Sequence, residues 1–386
     1  MRFSGFDDEW KKSNLGNISS NEMYGMNSAA KDYDGFNKYI RITDISETSN
    51  KFIPNPLTSP DGDLEDKYKL KKGDIVFART GASTGKTYLY DDNDRNLYFA
   101  GFLIKFHIDN ADPKFIFYNT LKEEYLNWVS VMSVRSGQPG INSNEYKKLP
   151  IILPSLDEQN KISNFLTSID KKIDLLERKH QFYQEFKKFL MQQIFTQKLR
   201  FDFDEIRLKS ISKINKGKQL NKEHMLELGK FYVLNGGQEP SGYTDSWNTS
   251  ENTITISEGG NSCGFVNFNT EKFWSGGHCY YLNKLSENID VYYLYSYLKF
   301  IEPQIMRLRV GSGLPNIQKG DIENIKIKIL PKKEQIKISN LLLSTDNKIS
   351  SIESQKDSFE IFKKGLLQQM FVVQLILSLL QNKKHI

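Results

Sequence analysis

The sequence predicts an α+β protein: two globular domains alternating with two long helices that form an antiparallel coiled coil, built as an internal pseudo-two-fold repeat. Three observations carry this prediction. The segment LPSLDEQNKISNFLTSIDKKIDLLERKHQFYQEFKKFLMQQIF (153 to 195) recurs as LPKKEQIKISNLLLSTDNKISSIESQKDSFEIFKKGLLQQMF (330 to 371). Each copy keeps apolar residues at alternating spacings of four and three along its length, the pattern of a coiled-coil seam. The region before each copy carries the same landmarks but otherwise divergent sequence. The repeat is far longer than the 20 to 50 residues of solenoid units, so it reads as a duplicated domain pair. The expected order is a first domain over 1–152, a helical spacer over 153–199, a second domain over 200–329, and a second spacer with a tail over 330–386.

Taken in order, each half opens on an amphipathic segment, with Trp10, Leu15 and Ile18 spaced like Ile206, Ile211 and Ile214. A strand and glycine turn follow, GDIVFARTGASTG (73 to 85) in the first half and NTITISEGGNSCG (252 to 264) in the second, placing Gly81 and Gly85 opposite Gly260 and Gly264. A Ser-Gly-x-Pro turn comes next, Ser136 to Pro139 and Ser312 to Pro315. Leu-Pro then ends the preceding strand, with Pro154 or Pro331 and the acidic Asp157, Glu158 or Glu334 favouring a helix start. In the second copy the stretch from Pro331 to Glu334 is one residue shorter, which predicts a changed helix start. The first seam runs Ile162, Leu166, Ile169, Ile173, Leu176, His180, Tyr183, Lys187, Leu190, Ile194, and the second Ile338, Leu342, Thr345, Ile349, Ile352, Lys356, Phe359, Lys363, Leu366, Met370. Polar breaks fall at matching places, where they can fix register. At about 40 residues each helix is roughly 60 Å long.

Gly85-Lys86-Thr87 behind a glycine turn imitates a nucleotide-binding P-loop. That motif needs a glycine five residues before Gly85, where the chain has Thr80, and a helix after it, where YLYDDNDRNLYF is aromatic and turn-rich. The equivalent loop of the second half has Phe265 in place of Lys86, so the turn reads as architecture used twice.

No catalytic set and no metal site is expected. Cys263 and Cys279 form no CxxC and suggest a reducing, cytoplasmic setting. His107, His180, His224, His278 and His385 show no metal or nucleophile spacing. Asp61, Glu65 and Lys67 superficially resemble a metal-dependent nuclease motif, but three intervening residues cannot supply two adjacent strands, and Pro60-Asp61-Gly62 reads as a solvated turn. The N-terminus has no apolar signal region, and FVVQLILSLL (371 to 380) is too short to span a bilayer, so no membrane role is expected; it reads as a helix extension under a partner surface. The net charge of +6 permits a nucleic-acid partner without requiring one.

Binding chemistry is left to the loops. Candidates for DNA contact are Arg79, Thr80, Ser83, Lys86, Arg135, Ser136 and Gln138 in the first half, and Lys216, Lys218, Asn235, Gln238, Arg307, Arg309, Ser312 and Asn316 in the second. Arg and Lys suit phosphates or guanine edges, and Asn and Gln suit adenine.

The GDIVFARTGASTGK strand-loop, both Ser-Gly-x-Pro turns and both Leu-Pro helix starts ending in Glu-Gln resemble the specificity subunit of type I restriction-modification enzymes across nearly the whole chain. The resemblance implies two target-recognition domains, each reading one half of a bipartite site in double-stranded DNA, and a helix pair that sets the spacer. It implies a non-catalytic chain that binds no cofactor itself. Its partners would be two methyltransferase subunits using S-adenosylmethionine on adenine, and two restriction subunits using ATP and Mg²⁺ can join. The alternatives are a single-chain metal-dependent nuclease and a coiled-coil scaffold that does not bind DNA.

Overall fold

The computed structural model of the chain describes residues 2–196, 204–311, 313 and 315–371; Ser312 and the apolar stretch after Phe371 lie outside the described residues. Two compact units result, one from Met1–Leu175 with the described residues from Lys356 onward, the other from Leu176–Gln355.

In the first unit a four-stranded antiparallel sheet has the order Ser19–Tyr24, Leu103–Ile108, Asp74–Ala78, Thr87–Leu89. Asp74–Ala78 is buried at all five residues. Side chains alternate across a strand. Ile75 and Phe77 therefore join a core with Phe106, Phe115 and Tyr146, while Val76 and Ala78 join a second cluster with Ile40, Leu97 and Phe99. The second unit repeats the order with Lys213–Lys216, Cys279–Asn283, Thr253–Ser257 and Val266–Asn269. There Ile254 and Ile256 face the apolar core, whereas Thr255 on the other face meets Asn269, whose amide donates to its hydroxyl at 3.1 Å. The frame is shared and one face has changed character.

The opening segments are strand, single turn and strand. Asn14 caps the turn Leu15–Ile18 by accepting from the Asn17 amide, and Leu15 and Ile18 enter the first core as Ile211 and Ile214 enter the second. The strand before this turn closes a two-stranded ribbon with the strand that feeds the long helix, Lys11–Asn14 with Pro150–Leu153 and Asp204–Arg207 with Lys326–Ile329.

The long helices are Leu156–Phe195 and Lys332–Phe371, each 40 residues. A buried glutamine fixes each start. Gln159 accepts from the Asp112 amide at 2.9 Å and donates to the Pro154 carbonyl at 2.9 Å; Gln335 accepts from the Asp290 amide at 2.8 Å and donates to the Leu330 carbonyl at 2.7 Å. These clamps correct the expected shortening of the second start. Pro154 and Leu330 occupy the same place, Leu153 and Ile329 the same ribbon register, so the residue count is preserved and the proline has moved by one position.

Burial along both helices follows the four-three seam, with flanking positions such as Leu175 and Leu341 exposed. Ile162, Leu166 and Ile169 enter the first core, Ile173 packs against it, and Ile338 and Leu342 enter the second; Leu176 and Ile352 are buried, and Tyr183 and Ile349 are half-buried. The helix ends cross over between repeats. Leu366, Met370 and Phe371 complete the first core with Phe359 against it, and Phe371 lies 5.1 Å from Phe115. Met191, Ile194 and Phe195 complete the second, with Leu190 against it and Phe195 5.8 Å from Tyr293. Two of the polar breaks are ion pairs: Lys363 with Asp170 at 2.6 Å in the first unit, Lys187 with Asp346 at 2.6 Å in the second. Each aspartate also accepts from a tyrosine, Tyr118 or Tyr292, and burial together with that carboxylate holds both phenols protonated well above their usual range.

Candidate nucleic-acid interface

The two glycine loops superimpose bond for bond. Gly85 donates to Ala78 and Gly264 to Ser257, both at 2.9 Å; Gly81 donates to Pro139 and Gly260 to Pro315, both at 3.0 Å. All four glycines have positive φ, between +73° and +92°. Pro139 and Pro315 belong to the Ser-Gly-x-Pro turns, so those turns buttress the loops. The strand Thr87–Leu89 follows directly in the first unit, where a P-loop would need a helix.

Lys86 is engaged within the first unit. Its side chain is 8% exposed, donates to the Ile45 carbonyl at 3.1 Å and pairs with Glu47. Arg135 is likewise engaged, with Glu145 at 2.6 Å and the Met132 and Val134 carbonyls. Thr80 bridges to Gly140, and the half-buried Ser83 accepts the Lys86 amide on its carbonyl. Ser136 and Gln138 are exposed, with the Gln138 amide nitrogen beside Gly81. Arg79 is different. Its Nε donates to the Gly101 carbonyl at 3.1 Å, and its guanidinium lies 5.0 Å from the Tyr24 ring and 5.9 Å from the Phe102 ring. The same three residues line a cleft of about 610 Å³ with Met26, Tyr39 and Arg41.

In the second unit Lys216, Lys218, Gln238, Arg307 and Arg309 are exposed. Asn235 is half-buried beside Gly276, and Asn316 pairs with Gly259 and Val310. Sequence reasoning missed Glu258, which is 4% exposed. Its carboxylate accepts from Lys216 at 2.6 Å and from the Tyr280 hydroxyl at 3.0 Å, and lies 3.5 Å from His278. Burial and this carboxylate push the Tyr280 phenol well up, so it remains a donor. Glu258 stands where the first loop has Arg79, and that alignment was the available signal. Among the described residues the segment around Asp61 is an exposed turn, with Asp61 on Lys31 at 3.7 Å and Glu65 on Lys67 at 2.6 Å.

The type I restriction modification DNA specificity domain family matches residues 7–181 and 201–360. The chain belongs to this family. A Methanocaldococcus jannaschii protein named as a type I restriction enzyme specificity subunit is 25% identical over 339 residues, 78% of either chain. A Mycoplasma genitalium protein named as a type I specificity subunit is 34% identical over 147 residues, 38% of either chain. Among solved structures, the S subunit of a type I restriction-modification system from M. genitalium matches with a TM-score of 0.70 at 19% identity, over 96% of this chain and 97% of that one. This likeness extends the family's fold to both units. Among the described residues no helix is long and apolar enough to cross a membrane.

Proposed function

We propose that this chain is the DNA-reading subunit of a type I restriction-modification complex, each unit recognising one half of a bipartite site in double-stranded DNA. The carrying observation is the duplicated loop frame, identical in its backbone bonds and opposite in its central side chain, Arg79 against Glu258. One frame built twice with different side chains is what reading two different half-sites requires. Phosphate contacts set register, and base edges carry the sequence information.

The long helices pair antiparallel as a coiled coil in this reading. Going forward along the first helix from Asp170 to Lys187, the ion-pair partner goes back along the second from Lys363 to Asp346, which supports that direction. A stiff pair joining two modest half-site readers converts them into one spacing-dependent binder through effective concentration. The chain itself is non-catalytic, holds no cofactor and works in the cytoplasm. Two methyltransferase subunits, supplied with S-adenosylmethionine, methylate adenine at the site, and two restriction subunits using ATP and Mg²⁺ can complete the assembly.

The test is reconstitution. The purified chain alone is expected to bind duplex DNA weakly and to show neither cleavage nor ATP hydrolysis, and addition of methyltransferase subunits is expected to give sequence-dependent methyl transfer. Cleavage or ATP hydrolysis by the chain alone contradicts the proposal.

A further inference from the structure

The correspondence between the two loops extends to their neighbours. The Arg79 amide donates to the Phe102 carbonyl at 3.1 Å and the Glu258 amide to the His278 carbonyl at 2.9 Å, while the Arg79 and Glu258 carbonyls accept from Ile141 and Ile317, both at 2.9 Å. Gly25 donates to Leu103 as Gly217 donates to Cys279, which places Tyr24 opposite Lys216. The triplet Tyr24, Arg79, Phe102 is therefore the structural counterpart of Lys216, Glu258, His278. In the first unit a central cation lies over two rings, 5.0 Å and 5.9 Å from their centres. In the second a buried central carboxylate binds one flanking side chain, Lys216, at 2.6 Å and lies 3.5 Å from the other, His278; these two are 51% and 63% exposed.

These arrangements leave different donors for a ligand. With Nε bonded to Gly101 and its face covered by aromatic rings, Arg79 keeps the two terminal nitrogens of its planar fork, already fixed in direction. Two parallel donors match the O6 and N7 acceptors of guanine in the major groove. Lys216 presents a single ammonium donor whose position Glu258 sets, suited to a single acceptor such as purine N7.

Resting on the proposed DNA-reading function, we infer that these two triplets are the specificity-determining positions of the two half-sites: Arg79 reads a guanine in one, and Lys216, positioned by Glu258 and flanked by His278, reads a purine acceptor edge in the other.

The experiment uses the full chain with its methyltransferase subunits on a duplex library randomised across the recognised site, scored by which duplexes are methylated. Arg79→Ala is expected to erase one guanine preference in one half-site, lowering activity on the cognate duplex about 5- to 150-fold, the span of 1–3 kcal/mol for a bidentate base contact. Arg79→Lys keeps the charge and loses the fork, and is expected to leave that preference weakened. Glu258→Gln is expected to relax the other half-site alone. If Arg79→Ala weakens all duplexes equally and Arg79→Lys restores them, Arg79 touches phosphate and the inference is overturned. Unchanged preferences in Arg79→Ala or in Glu258→Gln overturn it as well. If the wild-type complex shows no sequence preference, the DNA-reading function itself fails, a result distinct from all of these.

Discussion

Adding one methyl group to each loop glycine separates the two jobs that these glycines perform. All four sit at positive φ, where an L side chain costs about 1–2 kcal/mol. Their surroundings differ. A Cβ at Gly85 would lie 2.6 Å from a Val129 methyl, and one at Gly264 would lie 2.8 Å from the Met306 Cα; at Gly81 it would meet only the Gln138 amide end at 3.1 Å, and at Gly260 nothing within 4 Å. Overpacking adds about 1–3 kcal/mol where the neighbour is fixed. Gly85→Ala and Gly264→Ala should therefore cost about 2–5 kcal/mol each, and Gly81→Ala and Gly260→Ala about 1–2 kcal/mol. At roughly 2–4 °C per kcal/mol for units of this size, calorimetry should resolve the larger pair as losses of about 4–20 °C. The units need not unfold together, so hydrogen exchange of peptides in each should assign the loss. Equal costs at Gly81 and Gly85 would refute the packing argument.

Other outcomes follow from the helices and the thiols. Phe195→Ala should remove about 3–5 kcal/mol from the second unit and Phe371→Ala should weaken the first, read as faster amide exchange in the unit whose core each ring completes; exchange confined to the helix itself would contradict that packing. A double-mutant cycle on Asp170 and Lys363 should give a coupling of about 0.5–2 kcal/mol, and none would mean the ion pair does not form in solution. Burial pushes the Cys279 thiol up to about 11 and raises Cys263 too, so at pH 8 both stay protonated as well as shielded. Iodoacetamide should label neither until the chain is unfolded.

The repeat made much of this legible. Matching Gly81 and Gly85 to Gly260 and Gly264 was enough to remove the nucleotide-binding reading, because a loop kept in two copies with Lys86 in one and Phe265 in the other is kept for its backbone. The four-three seam named residues that are shielded on both helices. What the pattern did not show was long-range pairing. Asp170 and Asp346 align in the two copies, as do the polar breaks Lys187 and Lys363, yet only packing reveals that each lysine answers the aspartate of the other repeat. The apparent shortening after Pro331 misleads because aligning on proline shifts the count by one, whereas Gln159 and Gln335 fix it. Glu258 escaped notice because an acidic residue in a glycine loop reads as solvated until its burial against Lys216 and Tyr280 is seen.

In the proposed function the two units read two separated half-sites. Mapping methylated adenines genome-wide in cells expressing this chain with its methyltransferase subunits tests it most directly. Two short defined blocks separated by a fixed stretch of unspecified bases are predicted. A single continuous motif, or methylation that persists unchanged without this chain, would contradict it.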